Sequence, residues 1–152
     1  MTAAATSLPV PLICDTSGIL AALDRSDPDH ETCANVLLTH AGPLVLSPLV
    51  MAELDHLLRN RLGQEAARTF AEDVSRGAYE LAALEAADIA ERLALDRKYS
   101  DLGLGLTDAS LVVLARRLSS KRLFTLEERH FRAVRPLQGG SFRLLPADAG
   151  RG

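Results

Sequence analysis

The stretch that organises this chain is Tyr99-Ser100-Asp101-Leu102-Gly103-Leu104-Gly105-Leu106-Thr107-Asp108-Ala109. Two acidic residues flank a glycine-containing apolar connector, and the second opens a run, residues 109–115, that is apolar except for one serine. A helix that is apolar on every side is expected to be buried. A carboxylate at the mouth of a buried helix costs free energy unless another group offsets its charge. Asp108 is therefore either a helix cap, a role that Thr107 could also fill, or part of a site.

Length and composition predict one soluble globular domain with a substantial core. The chain has 152 residues, of which 47% are hydrophobic and 24% charged, as in ordinary globular proteins. No segment is long enough to span a membrane, and the N-terminus lacks the pattern of a signal sequence. The two cysteines form no CxxC motif, so reduced thiols in a cytoplasm are expected. The four histidines show no zinc-ligand spacing and are interpreted as surface or helix-edge residues: His30, His40, His56 and His130.

Charge is unevenly distributed along the chain. The net charge is −3, which argues against a protein that binds polyanions over its whole surface. Residues 1–115 carry 8 basic and 17 acidic residues, whereas residues 116–143 carry 8 basic and 2 acidic residues. This basic segment is either a solvated face or an edge that contacts phosphates.

Hydrophobic patterning predicts strands that alternate with helices. Five short apolar runs are interpreted as strands, at residues 10–14, 44–46, 79–82, 121–125 and 142–145. The segments between them show helical spacing of their apolar residues. This alternation predicts an α/β fold with a mostly parallel central sheet of about five strands, flanked by helices on both faces. Functional residues in such sheets gather beyond the carboxyl ends of the strands.

Three helix starts are predicted from local sequence. Thr16 or Ser17 is expected to cap the first helix. Ser47 followed by proline is a strong start signal for the helix after the second strand. Thr125 and Glu128 fit a capping box for a short helix that follows the fourth strand.

Four acidic residues fall near predicted strand ends. Asp15 ends the first strand, Glu53 lies early in the helix after the second, Asp108 opens the helix before the fourth, and Glu127 follows the fourth. Each also has a structural interpretation, as a turn residue, a solvated helix residue, a cap or a helix-start acid. If the first and fourth strands are neighbours, all four carboxylates face one crevice. They would then repel, so that some stay protonated unless a divalent cation binds. Such a site suits Mg²⁺ or Mn²⁺ and can activate water against a phosphodiester.

Four segments that contain these acids resemble motifs of PIN-domain ribonucleases, specifically the VapC toxins of bacterial toxin–antitoxin pairs. The segments are residues 13–17 (ICDTS), 47–54 (SPLVMAEL), 99–109, and 124–131 (FTLEERHF). In order and spacing they cover roughly residues 10–146, nearly the whole chain. The resemblance implies metal-dependent RNA cleavage with Mg²⁺ or Mn²⁺, in which Asp15, Glu53 and Asp108 bind metal and are catalytic.

The resemblance also implies supporting residues. Thr16 matches a hydroxyl near the metal, Asp101 matches an accessory acid that could equally be a polar loop residue or cap, and Thr125 is expected to be accessory. Glu127 stands where the family usually has aspartate. Its additional methylene changes the reach by about 1.5 Å, so it is predicted to act on the metal through water, and Glu128 is the alternative acid.

Partners and boundaries are predicted on the same basis. We expect an RNA substrate, contacted by Arg129 and Arg132, a homodimer, a VapB-type antitoxin, a cytoplasmic location and no membrane association. The predicted domains are a flexible extension at residues 1–9, a PIN domain at residues 10–146 and a flexible tail at residues 147–152.

Two other functions are compatible with parts of the pattern. A degenerate PIN domain that binds RNA or a partner without cleavage is suggested by the glutamate at position 127. A phosphoacceptor receiver domain shares the alternating α/β architecture. It would require paired acids after the first strand and a lysine after the last, whereas this chain has Cys14-Asp15 and no lysine beyond Lys121.

Overall fold

A five-stranded parallel sheet forms the centre of the computed structural model, which describes residues 8–151. The strands are β1 (Leu12–Cys14), β2 (Leu44–Leu46), β3 (Glu80–Leu81), β4 (Arg122–Phe124) and β5 (Arg143–Leu145). Their order across the sheet is β3-β2-β1-β4-β5, and every neighbouring pair is parallel. The predicted α/β architecture is confirmed; β2 has the predicted bounds, and the other four strands are slightly shorter than their apolar runs.

Seven α-helices connect and cover the strands. They are α1 (Thr16–Leu23), α2 (His30–Thr39), α3 (Pro48–Arg61), α4 (Gln64–Ser75), α5 (Ala86–Lys98), α6 (Leu106–Arg117) and α7 (Glu128–Ala133), with a 3₁₀ turn at Ser100–Leu102. All three residues of β1 are fully buried. Because successive strand residues point to opposite faces, both faces of the sheet are covered there. None of the helices in the described part of the chain combines the length and apolarity needed to cross a membrane.

Helix α6 is buried over residues 109–115, as the sequence predicted. These residues are all buried, and α6 packs against β1. The helix begins at Leu106, with Gly105 in the cap position, so that Asp108 lies in the first turn rather than at the cap. The capping interpretation of Asp108 and of Thr107 is therefore wrong.

The predicted helix starts are confirmed only for α3. Ser47 Oγ accepts a hydrogen bond from the Leu49 amide at 3.2 Å, as expected. Helix α1 is capped by Asp15, not by Thr16 or Ser17. The capping box of Thr125 and Glu128 does not form. The Thr125 hydroxyl donates to Asp15 at 2.7 Å, and Glu128 forms an ion pair with Arg132.

The C-terminal residues are tied to the domain through Asp148. Its carboxylate accepts hydrogen bonds from the Leu144 amide at 2.8 Å and from Arg132 at 2.6 and 2.8 Å. Only 7% of Asp148 is exposed. The predicted flexible tail at residues 147–152 stays a prediction, within which Asp148 is anchored to the domain. Of the predicted N-terminal extension, residues 1–7 lie outside the described residues.

Candidate active site

A cavity of about 350 Å³ opens beyond the carboxyl ends of β1 and β4. Cys14 and Phe124 are paired in the sheet, so the residues that follow them, Asp15 and Thr125, are neighbours. The cavity walls include the four predicted acids together with other polar residues: Asp15, Thr16, Ser17, Asp27, Glu53, Arg61, Asp108, Glu127 and His130. The prediction that all four acids face one crevice is confirmed.

Asp15 is held in one orientation by three donors. Its Oδ1 atom accepts the Thr16 amide at 2.8 Å, and its Oδ2 atom accepts the hydroxyls of Thr125 at 2.7 Å and Ser17 at 3.3 Å. Gly18 allows this close approach of α1 to β4, since a Cβ atom there would meet the Phe124 ring at 3.0 Å. Asp15 therefore has a fixed carboxylate at the floor of the cavity.

The pKa of Asp15 is raised to about 6. Burial is the largest cause, and the negative charge of Asp108 adds to it, while the hydrogen bonds from Thr125, the Thr16 amide and Ser17 oppose the shift. The ionised carboxylate thus lacks a compensating positive charge from the protein, and an added cation would stabilise it.

Asp108 reaches the same cavity from the first turn of α6. Its Oδ2 atom lies 2.9 Å from Nδ1 of His130, which donates to it when that nitrogen carries the proton. Burial raises the pKa of Asp108, and the charges of Glu127 and Glu53 act in the same direction, whereas His130 opposes them. The sequence thus correctly indicated a helix-mouth acid that requires compensation.

His130 was missed by sequence reasoning, which placed it on the surface or at a helix edge. It lies on α7, with Nδ1 3.9 Å from Oε1 of Glu127. The available signal was the spacing of three residues from Glu127, which puts both side chains on one helix face. Ser17 was predicted as a cap and as part of the 13–17 segment, with no role in positioning Asp15; its hydroxyl also accepts the Leu126 amide at 2.9 Å.

The other two acids are more accessible. Glu53 is exposed on α3, with Oε2 3.5 Å from the Thr107 hydroxyl. Glu127 is half-buried at the start of α7, and its amide donates to the Thr125 hydroxyl at 2.9 Å. Thr125 therefore links Glu127 to Asp15 through one hydroxyl group.

Thr16 provides an independent indication of a missing ligand. It is 5% exposed and lines the cavity, yet its hydroxyl oxygen has no hydrogen-bond partner within residues 8–151. A buried hydroxyl without a partner costs free energy. A bound cation or its water would satisfy this atom.

The donor set fits a hard divalent cation. Carboxylates and a hydroxyl are oxygen ligands of the kind that Mg²⁺ and Mn²⁺ take. A cation would offset both the burial and the carboxylate repulsion that raise the two aspartate pKa values. Within residues 8–151, no three His, Cys, Asp or Glu side chains lie close enough together to hold a metal ion as they stand.

Four predicted site residues are not among the cavity walls. One of them, Thr125, still contacts the site through its hydrogen bond to Asp15. Asp101 is exposed on the 3₁₀ turn and is not among the cavity walls. Arg132 forms ion pairs with Asp148 at 2.6 Å and Glu128 at 3.0 Å, so its charge is already compensated. Arg129 is exposed and forms no ion pair with residues 8–151. The predicted RNA contacts of both arginines remain predictions.

Comparisons with known proteins agree with this arrangement. Residues 12–136 match the family model of the PIN domain. Over 135 residues the chain is 41% identical to ribonuclease VapC26 of Mycobacterium tuberculosis, an alignment that covers 89% of this chain and 100% of that protein. The fold is similar to the crystal structure of VapC20 from the same organism, a toxin that cleaves the sarcin–ricin loop. That match has a TM-score of 0.72 and 18% identity, and it covers 76% of this chain and 89% of VapC20. The chain thus belongs to the PIN-domain family and, within it, to the VapC-type ribonucleases.

Proposed function

We propose that this protein is a metal-dependent endoribonuclease, the toxin of a VapBC-type toxin–antitoxin pair, which hydrolyses phosphodiester bonds in cellular RNA. The observation that carries this proposal is the convergence of Asp15, Glu53, Asp108 and Glu127 on one cavity at the ends of β1 and β4. Two of these acids have raised pKa values that a cation would lower. The relative VapC26 is named a ribonuclease, which supports the same activity.

The side chains have distinct tasks in this proposal. Asp15, Glu53 and Asp108 would hold Mg²⁺ or Mn²⁺, and Glu127 would act on it through water. The ion would supply Lewis-acid stabilisation of the phosphate and lower the pKa of the attacking water. Hydrolysis adds the water oxygen to phosphorus and breaks a P–O bond of the RNA backbone, whose leaving oxygen takes up a proton.

Positioning falls to the residues that contact the acids. The hydroxyls of Ser17 and Thr125 fix the Asp15 carboxylate, and the His130 imidazole fixes Asp108. Such partners of metal ligands orient them and tune their affinity. The fixed aspartates lie at the floor of the cavity, while the more accessible Glu53 and Glu127 can adjust to an arriving ion.

Substrate and partners follow from the family. Single-stranded loops are the usual targets of sequence-selective RNA-binding proteins, and VapC20 is a toxin that cleaves the sarcin–ricin loop. We propose a cognate VapB-type antitoxin, a homodimer, a cytoplasmic location and no membrane association. The proposed catalytic domain spans residues 10–146, within which the family match lies.

The test is cleavage of total bacterial transfer and ribosomal RNA by the purified protein. Discrete fragments are expected with Mg²⁺ or Mn²⁺ and none in excess EDTA or with Asp108→Asn. Binding of the same RNA without fragments under every metal condition would instead establish the degenerate, non-cleaving PIN domain. Equal cleavage in EDTA would exclude metal dependence.

A further inference from the structure

The cavity continues away from the acids along helix α3. Glu53, Leu57 and Arg61 all line it, because their spacing of four residues places them on one face of the helix. Thr16 and Leu20 have the same spacing on α1, which packs against α3, and line the opposite wall. A helix rises 1.5 Å per residue, so Arg61 lies about 12 Å along α3 from Glu53. The cavity is thus a groove with an acidic end and a cationic end.

Arg61 is available to an anion at the cationic end. It forms no ion pair with any residue from 8 to 151. Asp27 is a further acid on the groove wall, but within residues 8–151 it forms no ion pair with Arg61. Its carboxylate accepts the amide of Asp29 at 2.8 Å. The charge of Arg61 reaches Asp24, whose pKa is lowered mainly by hydrogen bonds from its own loop and in small part by Arg61.

Arg59 provides a direct contrast on the same helix turn. It pairs with Asp55 at 2.9 Å and is not among the groove walls. Both arginines lie in the last turn of α3, where a cation interacts favourably with the helix dipole. The helix dipole favours both arginines equally. It does not explain why Arg61, unlike Arg59, faces the groove and has no carboxylate partner within residues 8–151.

We propose that this groove is an RNA subsite in which Arg61 binds a backbone phosphate a few nucleotides from the bond that is cleaved at the acids, an inference that rests on the proposed function. Carboxylates repel the RNA backbone, so a cation is needed to hold a flanking phosphate. A guanidinium offers two parallel donors to phosphate oxygens. Leu20 and Leu57, between the two ends, provide apolar contacts for the intervening nucleotide.

The test is the salt dependence of RNA binding. A fluorescent, degenerate single-stranded 12-mer RNA is titrated with the protein in EDTA, and anisotropy is followed from about 50 to 200 mM KCl. One lost phosphate contact on a single strand should reduce the slope of log K against log salt by about 0.7. Arg61→Ala should show this reduction and several-fold weaker binding at low salt, and Arg61→Lys should keep most of the slope. Arg59→Ala, the matched control, should bind as the wild type does.

Each other outcome has a defined meaning. An unchanged slope for Arg61→Ala, or an equal loss for Arg59→Ala, overturns the subsite. A lowered melting temperature with unchanged RNA binding would make Arg61 only a helix-end cation. Weaker capture of a co-expressed antitoxin with an unchanged RNA slope would assign Arg61 to a protein contact instead.

The proposal and the function on which it rests fail differently. A wild-type protein that neither binds nor cleaves RNA in Mg²⁺ or Mn²⁺ removes the proposed function. A wild-type protein that cleaves RNA, while Arg61→Ala binds with the wild-type salt slope, removes only the subsite.

Discussion

Two buried aspartates, Asp15 and Asp148, have opposite electrostatic environments. Their exposed fractions are nearly equal, at 5% and 7%. Burial raises the pKa of Asp15 to about 6, and the charge of Asp108 contributes to that shift. Hydrogen bonds from Arg132 lower the pKa of Asp148 to about 2. The difference follows from the burial penalty at Asp15, which no positive charge offsets, and from the guanidinium of Arg132 at Asp148.

This difference distinguishes Asp15, at a candidate ligand site, from Asp148, which together with Arg132 forms a structural clamp. The charge of Asp148 is matched within the chain by Arg132, and its Oδ2 atom also fixes the Leu144 amide. Asp15 is well hydrogen-bonded, but no positive charge from residues 8–151 pairs with it. The neighbouring Thr16 hydroxyl has no hydrogen-bond partner among those residues either. Perturbed pKa values occur in both kinds of place. A raised carboxylate pKa beside an open cavity is the combination that indicates a bound cation.

The largest effect should come from Asp15→Asn. An asparagine oxygen can still accept the Thr16 amide, and the hydroxyls of Ser17 and Thr125 can rotate to accept from its NH₂ group. We therefore expect a folded protein with no detectable RNA cleavage. The measurements are fragment formation in Mg²⁺ or Mn²⁺ and thermal melting. Full activity would remove Asp15 from the mechanism, and the comparison with Asp148 would then lose its functional meaning.

The pH dependence of stability should differ between the two aspartates in the metal-free protein. Asp15 has a raised folded-state pKa, so its protonated form favours folding, and that stabilisation is present below about pH 4 and lost as the pH rises through about 6. A shift from 3.8 to about 6 corresponds to at most about 3 kcal/mol. Asp108 shifts in the same direction. Thermal melting in EDTA between pH 4 and 6 should show a fall that Asp15→Asn flattens.

Asp148 should dominate only at lower pH. Its folded-state pKa is depressed, so its stabilisation is present above about pH 4 and is lost as the pH falls toward 2. The two pH windows therefore do not overlap. An identical melting profile of Asp15→Asn and wild type between pH 4 and 6 would contradict the raised pKa of Asp15.

Glu127→Ala should have an intermediate effect. A partner that acts on a metal through water typically costs ~10–100-fold when removed, and we expect a loss of cleavage in that range, partly restored by more metal. Activity as low as that of Asp15→Ala at saturating metal would make Glu127 a direct ligand. Full activity would make it only a favourable acid at the start of α7.

The smallest effect is expected from Asp148→Asn. The loss of its charged hydrogen bonds to Arg132, which is partly exposed, should lower the free energy of unfolding by about 1–2 kcal/mol. Cleavage per folded molecule should stay at the wild-type level, since Asp148 is not part of the cavity. Chemical denaturation and cleavage assays measure both quantities. A specific loss of activity without loss of stability would show that the clamp serves the site.

The sequence by itself determined the fold class and the positions of the acids. Each strand coincides with a short apolar run. Such a run predicts a buried strand from the local sequence alone. Asp15 and Glu127 follow strands, and parallel strands place their carboxyl ends on one edge of the sheet. Glu53 and Asp108 were located by helix patterning and motif spacing, and all four acids line one cavity.

Only the tertiary structure determined which hydrogen-bond partners these side chains have. Thr125 had a suitable local partner in Glu128, yet its hydroxyl donates to Asp15, 110 residues away, because the pairing of β1 with β4 brings the two together. The His130 imidazole lies within hydrogen-bonding distance of Asp108, 22 residues away, because α6 and α7 both contribute residues to the wall of the same cavity. A hydroxyl or imidazole has few hydrogen-bonding positions, and the geometry of the packed elements selects among donors and acceptors that the sequence offers equally.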